Sequence, residues 1–340
     1  VAIPYGTLDA RQMRALADIA DKYDRGYGHF TTRQNLQFHW PALADVPAIL
    51  ADLASVEMHC IQTSGNCIRN VTADHFAGVA QDEIEDPRPT AELIRQWSSA
   101  HPEFSYLPRK FKIAVSAGKG VDRAAVYFHD IGVRVVDSAS GERGFEILAG
   151  GGMGRTPHIG QVVSSFVAKQ DLLSYIEAIL RVYNTFGRRD NLYKARIKIL
   201  VNALGIEAFR ALVEEEWGHI KDGPLKLDPA EIERIGRQFA SHAYESLPDA
   251  KVALDALRIG KDRALSRFVT NNVLPHRQPG YVSVIVSLKH KDVPPGDMSD
   301  LQMGAFADLA ERFGFGELRV THTQNLVLPE DRKSTRLNSS

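Results

Sequence analysis

The two ends of this chain are copies of each other, and that duplication constrains the possible fold more than any other feature. A constant shift of 290 residues aligns about a dozen identical pairs within roughly thirty positions, and the alignment needs no gap. The pairs are Gly6/Gly296, Gln12/Gln302, Met13/Met303, Ala17/Ala307, Asp18/Asp308, Ala20/Ala310, Gly26/Gly316, Thr31/Thr321, Gln34/Gln324, Asn35/Asn325 and Leu36/Leu326. We therefore predict one structural unit that occurs twice, with a different kind of chain between the copies.

Each copy predicts a strand, a helix and a second strand. The first strand is predicted over residues 1–3 and again over 281–288. Apolar residues at helical spacing follow, and a glycine then ends each helix. These residues are Met13, Leu16, Ala17, Ala20 and Gly26 in the first copy, and Met303, Phe306, Ala307, Ala310 and Gly316 in the second.

The second strand of the first copy is predicted over residues 30–38 and carries a polar face. That face comprises Thr31, Arg33, Asn35 and Gln37. A polar strand face is commonly exposed to water, and the alternative is a face that lines a binding site. Arg33 corresponds to Thr323 in the second copy, and this difference in charge modestly favours a functional role.

Between the copies, the pattern of apolar residues predicts a mixed α/β region. Strands are predicted over 109–115, 124–128, 133–136 and 145–148, and helices over 90–98, 172–185, 191–203 and 206–217. Residues 224–264 are helical and charged in pattern, and Asp228 is predicted to cap a helix. The predicted division is a first repeat over 1–61, an α/β domain over 62–220, a helical linker or insertion over 221–275, a second repeat over 276–332 and a tail over 333–340.

Composition excludes several classes of protein. The formal net charge of -1 argues against a general nucleic-acid surface, which needs a clustered basic excess. No apolar run is long enough to span a membrane and no secretion signal is visible, so we expect a cytoplasmic protein without membrane partners. Cys60 and Cys67 are too few for a disulfide framework, and we expect two reduced thiols.

Both ends of the sequence predict a chain that has been cut. The N-terminus starts within a predicted strand and lacks an initiating Met, so we expect the natural chain to begin upstream. The last eight residues, 333–340, abandon the preceding pattern and predict a non-native tail. The alternative is a natural polar tail.

Basic residues concentrate in short segments that carry the candidate chemistry. Three of these segments are predicted where a strand meets a loop, over 31–35, 65–70 and 107–112. Lys110 and Lys112 would leave the same strand face about 7 Å apart, although such a pair is most often solvated. The further candidates are a loop with Gly150, Gly151 and Gly152, and a predicted helix with Arg188, Arg189, Lys194, Arg196 and Lys198. Such cations around one cavity would suit a polycarboxylate ligand or a small oxyanion.

Three motifs resemble the haemoprotein of assimilatory sulfite reductases and the related ferredoxin-dependent nitrite reductases. They are Thr-Thr-Arg-Gln-Asn-Leu-Gln-Phe-His over 31–39, Asn-Cys-Ile-Arg-Asn-Val over 66–71 and Tyr-Leu-Pro-Arg-Lys-Phe-Lys over 106–112. The resemblance extends from Val1 to about Glu330 and includes the repeat. It implies an α+β protein whose ferredoxin-like half-domain repeats flank a mixed α/β domain, here incomplete, with sirohaem bound between them.

The resemblance also implies roles for individual residues. Arg69, Lys110 and Lys112 match residues that surround the substrate and would be catalytic. The implied cofactor-binding residues are Arg33, Gln37, Thr31, Asn35, His39, Asn70, Gly150, Gly151, Gly152, Arg188, Lys194, Arg196 and Lys198. The implied reaction is the six-electron reduction of sulfite to sulfide in sulfur assimilation, with electrons entering through a 4Fe-4S cluster.

Two departures from the family pattern qualify this resemblance. The family has four cluster cysteines in its second half, whereas Cys60 and Cys67 lie in the first half of this chain and do not match them. A further substrate-side arginine would precede Val1. No metal ligand is therefore assigned here, the chain alone is expected to be inactive, and its retention of sirohaem is left open.

Two alternatives compete with sulfite reduction. Nitrite reduction to ammonia would use the same cationic pocket, because both substrates are small oxyanions. A non-catalytic tetrapyrrole-binding module would keep that pocket without the cluster. The expected electron donor is ferredoxin or an NADPH-dependent flavoprotein, and the sequence does not separate the two.

Overall fold

The chain folds into two compact units. The computed structural model describes residues 1–249 and 251–332, so the predicted tail over 333–340 lies outside the described residues. The first unit contains Val1–Cys60, His75–Glu83 and the chain from Ser241, and the second contains Ile61–Asp74 and Ile84–Ala240. Compact units need not coincide with domains, so the predicted domain boundaries stay predictions.

Helices and strands are numbered here in chain order. The helices are α1 (Ala10–Tyr23), α2 (Val46–Ser55), α3 (Arg88–Ser98), α4 (Leu172–Phe186), α5 (Ile197–Leu204), α6 (Ile206–Ile220), α7 (Pro229–Arg237), α8 (Lys251–Arg258), α9 (Arg263–Asn272) and α10 (Asp300–Phe313). The strands are β1 (Thr7–Asp9), β2 (Tyr27–Phe30), β3 (Leu36–Gln37), β4 (Thr72–Ala73), β5 (Ile113–Ser116), β6 (Ile131–Asp137), β7 (Arg143–Ala149), β8 (Gln161–Ala168), β9 (Val273–Pro275), β10 (Tyr281–Ser287), β11 (Asp297–Ser299), β12 (Glu317–Val320) and β13 (Asn325–Arg332). Among the described residues, no helix has both the length and the apolar character that a bilayer crossing needs.

The predicted repeat is confirmed in the first unit, where α1 and α10 are equivalent helices. Each begins with a capping box, in which Asp9 or Ser299 accepts the backbone N–H of the glutamine three residues later. The predicted apolar positions are buried in both helices. Each helix is closed by the N–H of a glycine, because Gly26 donates to the Ala20 carbonyl at 3.0 Å and its counterpart in the second copy makes the same bond.

These caps give a direct stability prediction. Replacing Ser299 with alanine removes the acceptor for the Gln302 N–H, which lies 3.2 Å from the Ser299 hydroxyl. We expect the free energy of unfolding to fall by about 1 kcal/mol, as for other N-cap replacements. Chemical denaturation measures the change, and threonine at the same position should preserve most of the stability. An alanine variant as stable as the parent would contradict the capping role.

The two copies exchange strands, so neither copy completes its own sheet. β1 pairs antiparallel with β12 of the other copy, and β11 pairs antiparallel with β2. The sheets of this unit have the strand orders β1-β12-β13-β10-β9 and β11-β2-β3. One apolar core lies beneath both copies and includes Met13 and Met303. The two copies therefore form one interlocked structure and are not independent of each other.

Two strand predictions in the first copy are wrong. The described structure has no strand over residues 1–3, and the predicted strand over 30–38 is broken by a turn between β2 and β3. Gln34 has φ of 58°, and Gln324 at the equivalent position has φ of 61°. The Gln34 amide donates to the Val320 carbonyl of the other copy at 2.9 Å. A long-range contact therefore supports a backbone geometry that local alternation did not reveal.

The second unit contains one mixed sheet with the strand order β4-β5-β6-β7-β8. β4, β5 and β6 are parallel, whereas β7 and β8 are antiparallel additions. The predicted strand over 124–128 is wrong, because Val126–Phe128 is a 3-10 turn that follows Ala125 in a left-handed conformation with φ of 54°. β8 was not predicted. The predicted helix over 191–203 begins later, at Ile197.

The charged segment after the second unit's main sheet is helical in three pieces. Asp228 caps α7 as predicted and accepts the Ala230 N–H at 2.8 Å. α7 belongs to the second unit, whereas α8 and α9 belong to the first. The segment Ser241–Asp249 between them has no helix or strand. The predicted helical segment is thus divided between the two units.

Candidate anion-binding site

The motifs around Arg69 and Lys110 lie side by side in the second unit. Ile68 and Phe111 form a parallel bridge. The N–H of Arg69 donates to the Phe111 carbonyl at 2.7 Å, and the N–H of Phe111 donates to the Cys67 carbonyl at 3.0 Å. Two segments far apart in the sequence are therefore held parallel, and their basic side chains become neighbours.

Lys110 and Lys112 flank a buried aromatic residue. Phe111 is fully buried, whereas both lysines are half-buried, so the chain alternates as predicted even though β5 begins only at Ile113. Burial lowers the pKa of the Lys110 ammonium, and the positive charges of Arg69, Arg109 and Arg196 lower it further. Lys110 is therefore a stronger proton donor than an exposed lysine.

Arg69 is fixed by backbone carbonyls of its own loop. Its guanidinium donates to the Thr63 carbonyl at 2.9 Å and to the Gly65 carbonyl at 2.9 and 2.8 Å. Burial lowers the pKa of Arg69, an effect that the Arg109 charge reinforces and the Cys67 thiol opposes. Because these acceptors are neutral, they orient the guanidinium without cancelling its charge.

A buried carboxylate anchors the basic segment that precedes α5. Asp130 is fully buried, and its Oδ1 accepts from Arg196 Nε at 2.9 Å and Nη2 at 2.7 Å. Its Oδ2 accepts the N–H of Lys112 at 2.9 Å. Lys198 is also buried and donates to the carbonyls of Met153, at 3.1 Å, and Thr156. Burial lowers the pKa of Lys198, and the charge of Arg196 adds to that effect.

The glycine loop at residues 150–152 is packed closely against its neighbours, and two of its backbone N–H groups are hydrogen-bonded within the protein. The N–H of Gly150 donates to the Asp130 carbonyl at 3.1 Å, and that of Gly152 donates to the His158 carbonyl at 2.9 Å. A Cβ atom at Gly151 would lie 2.4 Å from the Tyr127 carbonyl oxygen. The N–H groups of Gly150 and Gly152 are thus hydrogen-bonded within the protein, and a role of the loop in holding a cofactor stays a prediction.

Parts of these segments line an open cavity of about 750 Å³ within the second unit, but Arg69 and residues 150–152 are not among the lining residues. Eight of its lining residues are cationic, none is acidic, and the others include apolar side chains. The cationic residues are Arg109, Lys110, Lys112, Arg155, Arg188, Lys194, Arg196 and Lys198. Together with the apolar Met153, Leu192, Tyr193 and Ile199, this lining suits a large anion that also has an apolar face. We call this cavity and its lining the cationic pocket.

The predicted helical placement of the last basic cluster is only partly correct. Lys198 lies in α5, but Arg188, Arg189 and Lys194 precede that helix. Arg188 is exposed and pairs with Asp190 at 2.5 Å. Arg189 is absent from the lining and instead contacts the Tyr106 carbonyl. The loop thus brings Arg188 and Lys194 to the pocket and directs Arg189 elsewhere.

The remaining candidate residues divide between the units. Thr31 and Asn35 stabilise the turn that both copies share: the Thr31 hydroxyl accepts the Asn35 N–H at 3.2 Å, and the same bond recurs in the second copy. Arg33 is half-buried, whereas Gln37 and His39 are exposed. Because these five residues belong to the first unit, their contact with a cofactor stays a prediction. Asn70, beside Arg69, is buried in the second unit, and its role also stays a prediction.

Several residues in the cationic pocket or directly behind it were not predicted. Asp130 gives no sequence signal, because a single acidic residue before a strand is usually a solvated loop residue. Arg109 and Arg155 could have been found, since Arg109 adjoins Lys110 and Arg155 follows the glycine loop. The exposed apolar residues Met153 and Tyr193, 63% and 91% exposed, were missed because their exposure depends on the fold.

Cys60 is exposed and Cys67 is half-buried. The Cys67 thiol donates to the Ser64 carbonyl at 3.2 Å, and burial raises the pKa of that thiol. Within residues 1–249 and 251–332, no three His, Cys, Asp or Glu side chains are grouped so as to hold a metal ion. The described residues therefore supply no ligand set for an iron-sulfur cluster.

Two family models match the chain. The model described as the nitrite and sulphite reductase 4Fe-4S domain matches residues 64–221. The model described as the nitrite/sulfite reductase ferredoxin-like half domain matches residues 1–56 and 275–336. The two halves of the second match coincide with the two copies of the repeat, so the α+β architecture with ferredoxin-like half-domains is confirmed.

Known proteins support the same relationship. Sulfite reductase (ferredoxin) 1 of Mycolicibacterium paratuberculosis is 32% identical over 249 residues, which are 72% of this chain and 44% of that protein. The chloroplastic ferredoxin–nitrite reductase of Arabidopsis thaliana is 30% identical over 96% of this chain and 50% of its own length. The NirA protein structure of Mycobacterium tuberculosis superposes with a TM-score of 0.76 at 26% identity, covering 99% of this chain and 54% of that one. The chain therefore spans about half the length of these relatives.

Proposed function

Because the chain belongs to the nitrite and sulfite reductase family, a family of enzymes, we propose that it takes part in the six-electron reduction of sulfite to sulfide, with sirohaem as the cofactor beside its cationic pocket. The observation that carries this proposal is the lining of that pocket, which combines eight cations with apolar side chains. Sirohaem has that same combination, an apolar ring system with several carboxylates at its edge. The proposed setting of this reaction is sulfur assimilation.

Two groups of cations would divide the work of holding the macrocycle. Arg196 and Lys198 are immobilised by buried hydrogen bonds and would form fixed contacts with its carboxylates. Arg155, Arg188 and Lys194 are exposed at the edge of the pocket and would adapt to carboxylates nearer the solvent. When bound, sirohaem supplies the iron at which electrons reach the substrate, and a 4Fe-4S cluster would deliver those electrons.

Arg69, Lys110 and Lys112 would bind the oxyanion and supply protons. The guanidinium of Arg69 keeps its charge and a fixed orientation, so it would hold the substrate's negative charge. Every oxygen that leaves sulfite as water needs two protons. Because its pKa is lowered, the Lys110 ammonium gives up a proton more readily than an ordinary lysine, and it would be reprotonated from water.

Nitrite is the second candidate substrate. The ferredoxin–nitrite reductase of Arabidopsis thaliana aligns with 96% of this chain, more than the 72% aligned with the mycobacterial sulfite reductase. Both anions need the same positive charge and proton supply. Comparing kcat/KM for sulfite and nitrite, using the protein in its natural full length with both cofactors bound, decides between them. The names of both relatives favour ferredoxin as the donor over an NADPH-dependent flavoprotein.

Binding of a tetrapyrrole tests the pocket directly. We expect the purified protein to bind sirohaem, and also the metal-free polycarboxylate uroporphyrin, with an affinity that falls as salt is added. The variant Lys194→Gln should weaken uroporphyrin binding by about tenfold, because a charged contact is lost. Absorbance and fluorescence titrations measure both affinities.

The matched control is an exposed lysine outside the pocket. Lys226 pairs with Asp222 at 3.3 Å on the surface of the same unit, so Lys226→Gln should leave uroporphyrin affinity unchanged. Equal losses in the two variants, or no binding by the parent protein, would contradict the proposed function. Tight binding together with no reduction of either oxyanion by the cofactor-loaded full-length protein would favour the non-catalytic tetrapyrrole-binding module.

A further inference from the structure

Asp130 connects three segments around the cationic pocket, two through its carboxylate and one through its backbone carbonyl. Its two carboxylate oxygens accept from the Arg196 side chain and from the Lys112 backbone, as described above. Its own carbonyl accepts the N–H of Gly150 at 3.1 Å, at the start of the glycine loop. One buried residue thus touches the segment of Lys110 and Lys112, the segment of Arg196 and Lys198, and the loop between them.

Asp130 is also a negative charge placed behind a group of positive charges. Lys110 experiences the charges of Arg69, Arg109 and Arg196, which all oppose its protonation, and that of Asp130, which favours it. The Asp130 carboxyl is itself influenced by Arg196 and Lys112, and its charge contributes to the raised pKa of Tyr183 in α4. Removing this carboxylate would leave the electrostatic repulsion among the cations uncompensated.

We propose that Asp130 is the positioning residue of the cationic pocket: its carboxylate holds the Arg196 guanidinium and the backbone at Lys112, and so sets the arrangement of charges around Lys110. This inference rests on the proposed function, because an ordered pocket matters only if an anion binds there. Its test, however, needs no ligand. Asp130 is not itself one of the residues that line the cavity, so it acts through Arg196 and the lysines. Burial raises the pKa of the Asp130 carboxyl, and the contacts with Arg196 and Lys112 oppose that rise and favour its ionised form.

The test measures the protonation of Lys110 without any ligand. Brief acetylation with acetic anhydride between about pH 7 and pH 11, followed by peptide mass spectrometry, reports the pH at which the Lys110 amine becomes reactive. In Asp130→Asn, we expect that midpoint to fall by about one pH unit. In Arg196→Gln, we expect it to rise, because a cation that opposes the protonation of Lys110 is lost.

Opposite shifts separate this proposal from a purely structural role. A loss of packing alone would move both midpoints toward the value of an exposed lysine. The matched control is Asp190→Asn, which removes an exposed carboxylate that pairs with Arg188 and should leave the Lys110 midpoint unchanged. Unchanged midpoints, or shifts in the same direction, would overturn the proposal.

The outcome remains decisive if one variant does not fold. Should Asp130→Asn fail to fold, Asp130→Ser replaces it, because serine also removes the charge: a downward shift of the Lys110 midpoint again supports the proposal, and an unchanged or raised midpoint overturns it. Failure of the parent protein to bind uroporphyrin would count against the proposed function and leave the Lys110 titration intact. The two hypotheses can therefore fail separately.

Discussion

Replacing Lys110 with methionine is expected to lower kcat for oxyanion reduction by about a hundredfold in the cofactor-loaded, full-length protein. Methionine keeps an unbranched side chain of similar length but removes the charge and the transferable proton. Losing one preorganised group that stabilises developing charge typically has an effect of about this size. Steady-state kinetics with a chemical reductant measures kcat independently of the natural electron donor.

The pH profile identifies the chemical origin of that loss. The Lys110 ammonium is present below its lowered pKa and disappears as pH rises through it, so the parent enzyme should lose activity at a lower pH than an ordinary lysine would dictate. Lys110→Met should lack this alkaline decline. Lys119→Met, an exposed residue of the same unit, is the control and should retain both rate and profile. An alkaline limb that persists in Lys110→Met would assign the decline to another group.

Replacing Gly296 with alanine is expected to lower the free energy of unfolding by roughly 3 kcal/mol or more. Gly296 has φ of 97°, a conformation that residues with a Cβ atom rarely adopt. A Cβ atom there would also lie 2.3 Å from the Phe30 carbonyl oxygen, and Gly296 accepts the Phe30 N–H at 2.8 Å. Both effects strain the junction at which the second copy contacts the first. Urea denaturation measures the loss.

Another glycine of the same copy provides the matched control. Gly304 lies within α10, and a Cβ atom there would meet no heavy atom within 4 Å. Gly304→Ala should therefore raise stability by up to about 1 kcal/mol through its better helix propensity. If both variants change stability equally, the close approach at Gly296 does not control the junction.

The elements that the sequence predicted well are those with a local signal. α1 and α10 follow from apolar residues at helical spacing and from the glycines that end them, all within one short segment. Their capping residues and buried positions lie where the repeat places them. The basic residues Lys110, Arg196 and Lys198 were also found from local clusters, and the structure brings them to one pocket.

The elements that the sequence missed depend on distant partners. The turn after β2 contains alternating polar residues that imitate a strand, but Gln34 is held by a hydrogen bond to a residue 286 positions away. The contacts of Asp130 reach Lys112, 18 residues away, and Arg196, 66 residues away. No periodicity in a single sequence reports such pairings, so the turn and the buried carboxylate could only be found from the structure.

The exchange of strands between the two copies has a consequence for folding kinetics. β1 cannot find its partner until β12 is available, and the register pairs Thr7 with Arg319 and Leu8 with Leu318. Closing so long a loop costs chain entropy before the contacts that stabilise it can form. Topologies with such distant contacts therefore fold slowly. During synthesis, the first copy would therefore leave the ribosome with open strand edges, and the arrival of the second copy would set the time at which those edges are covered.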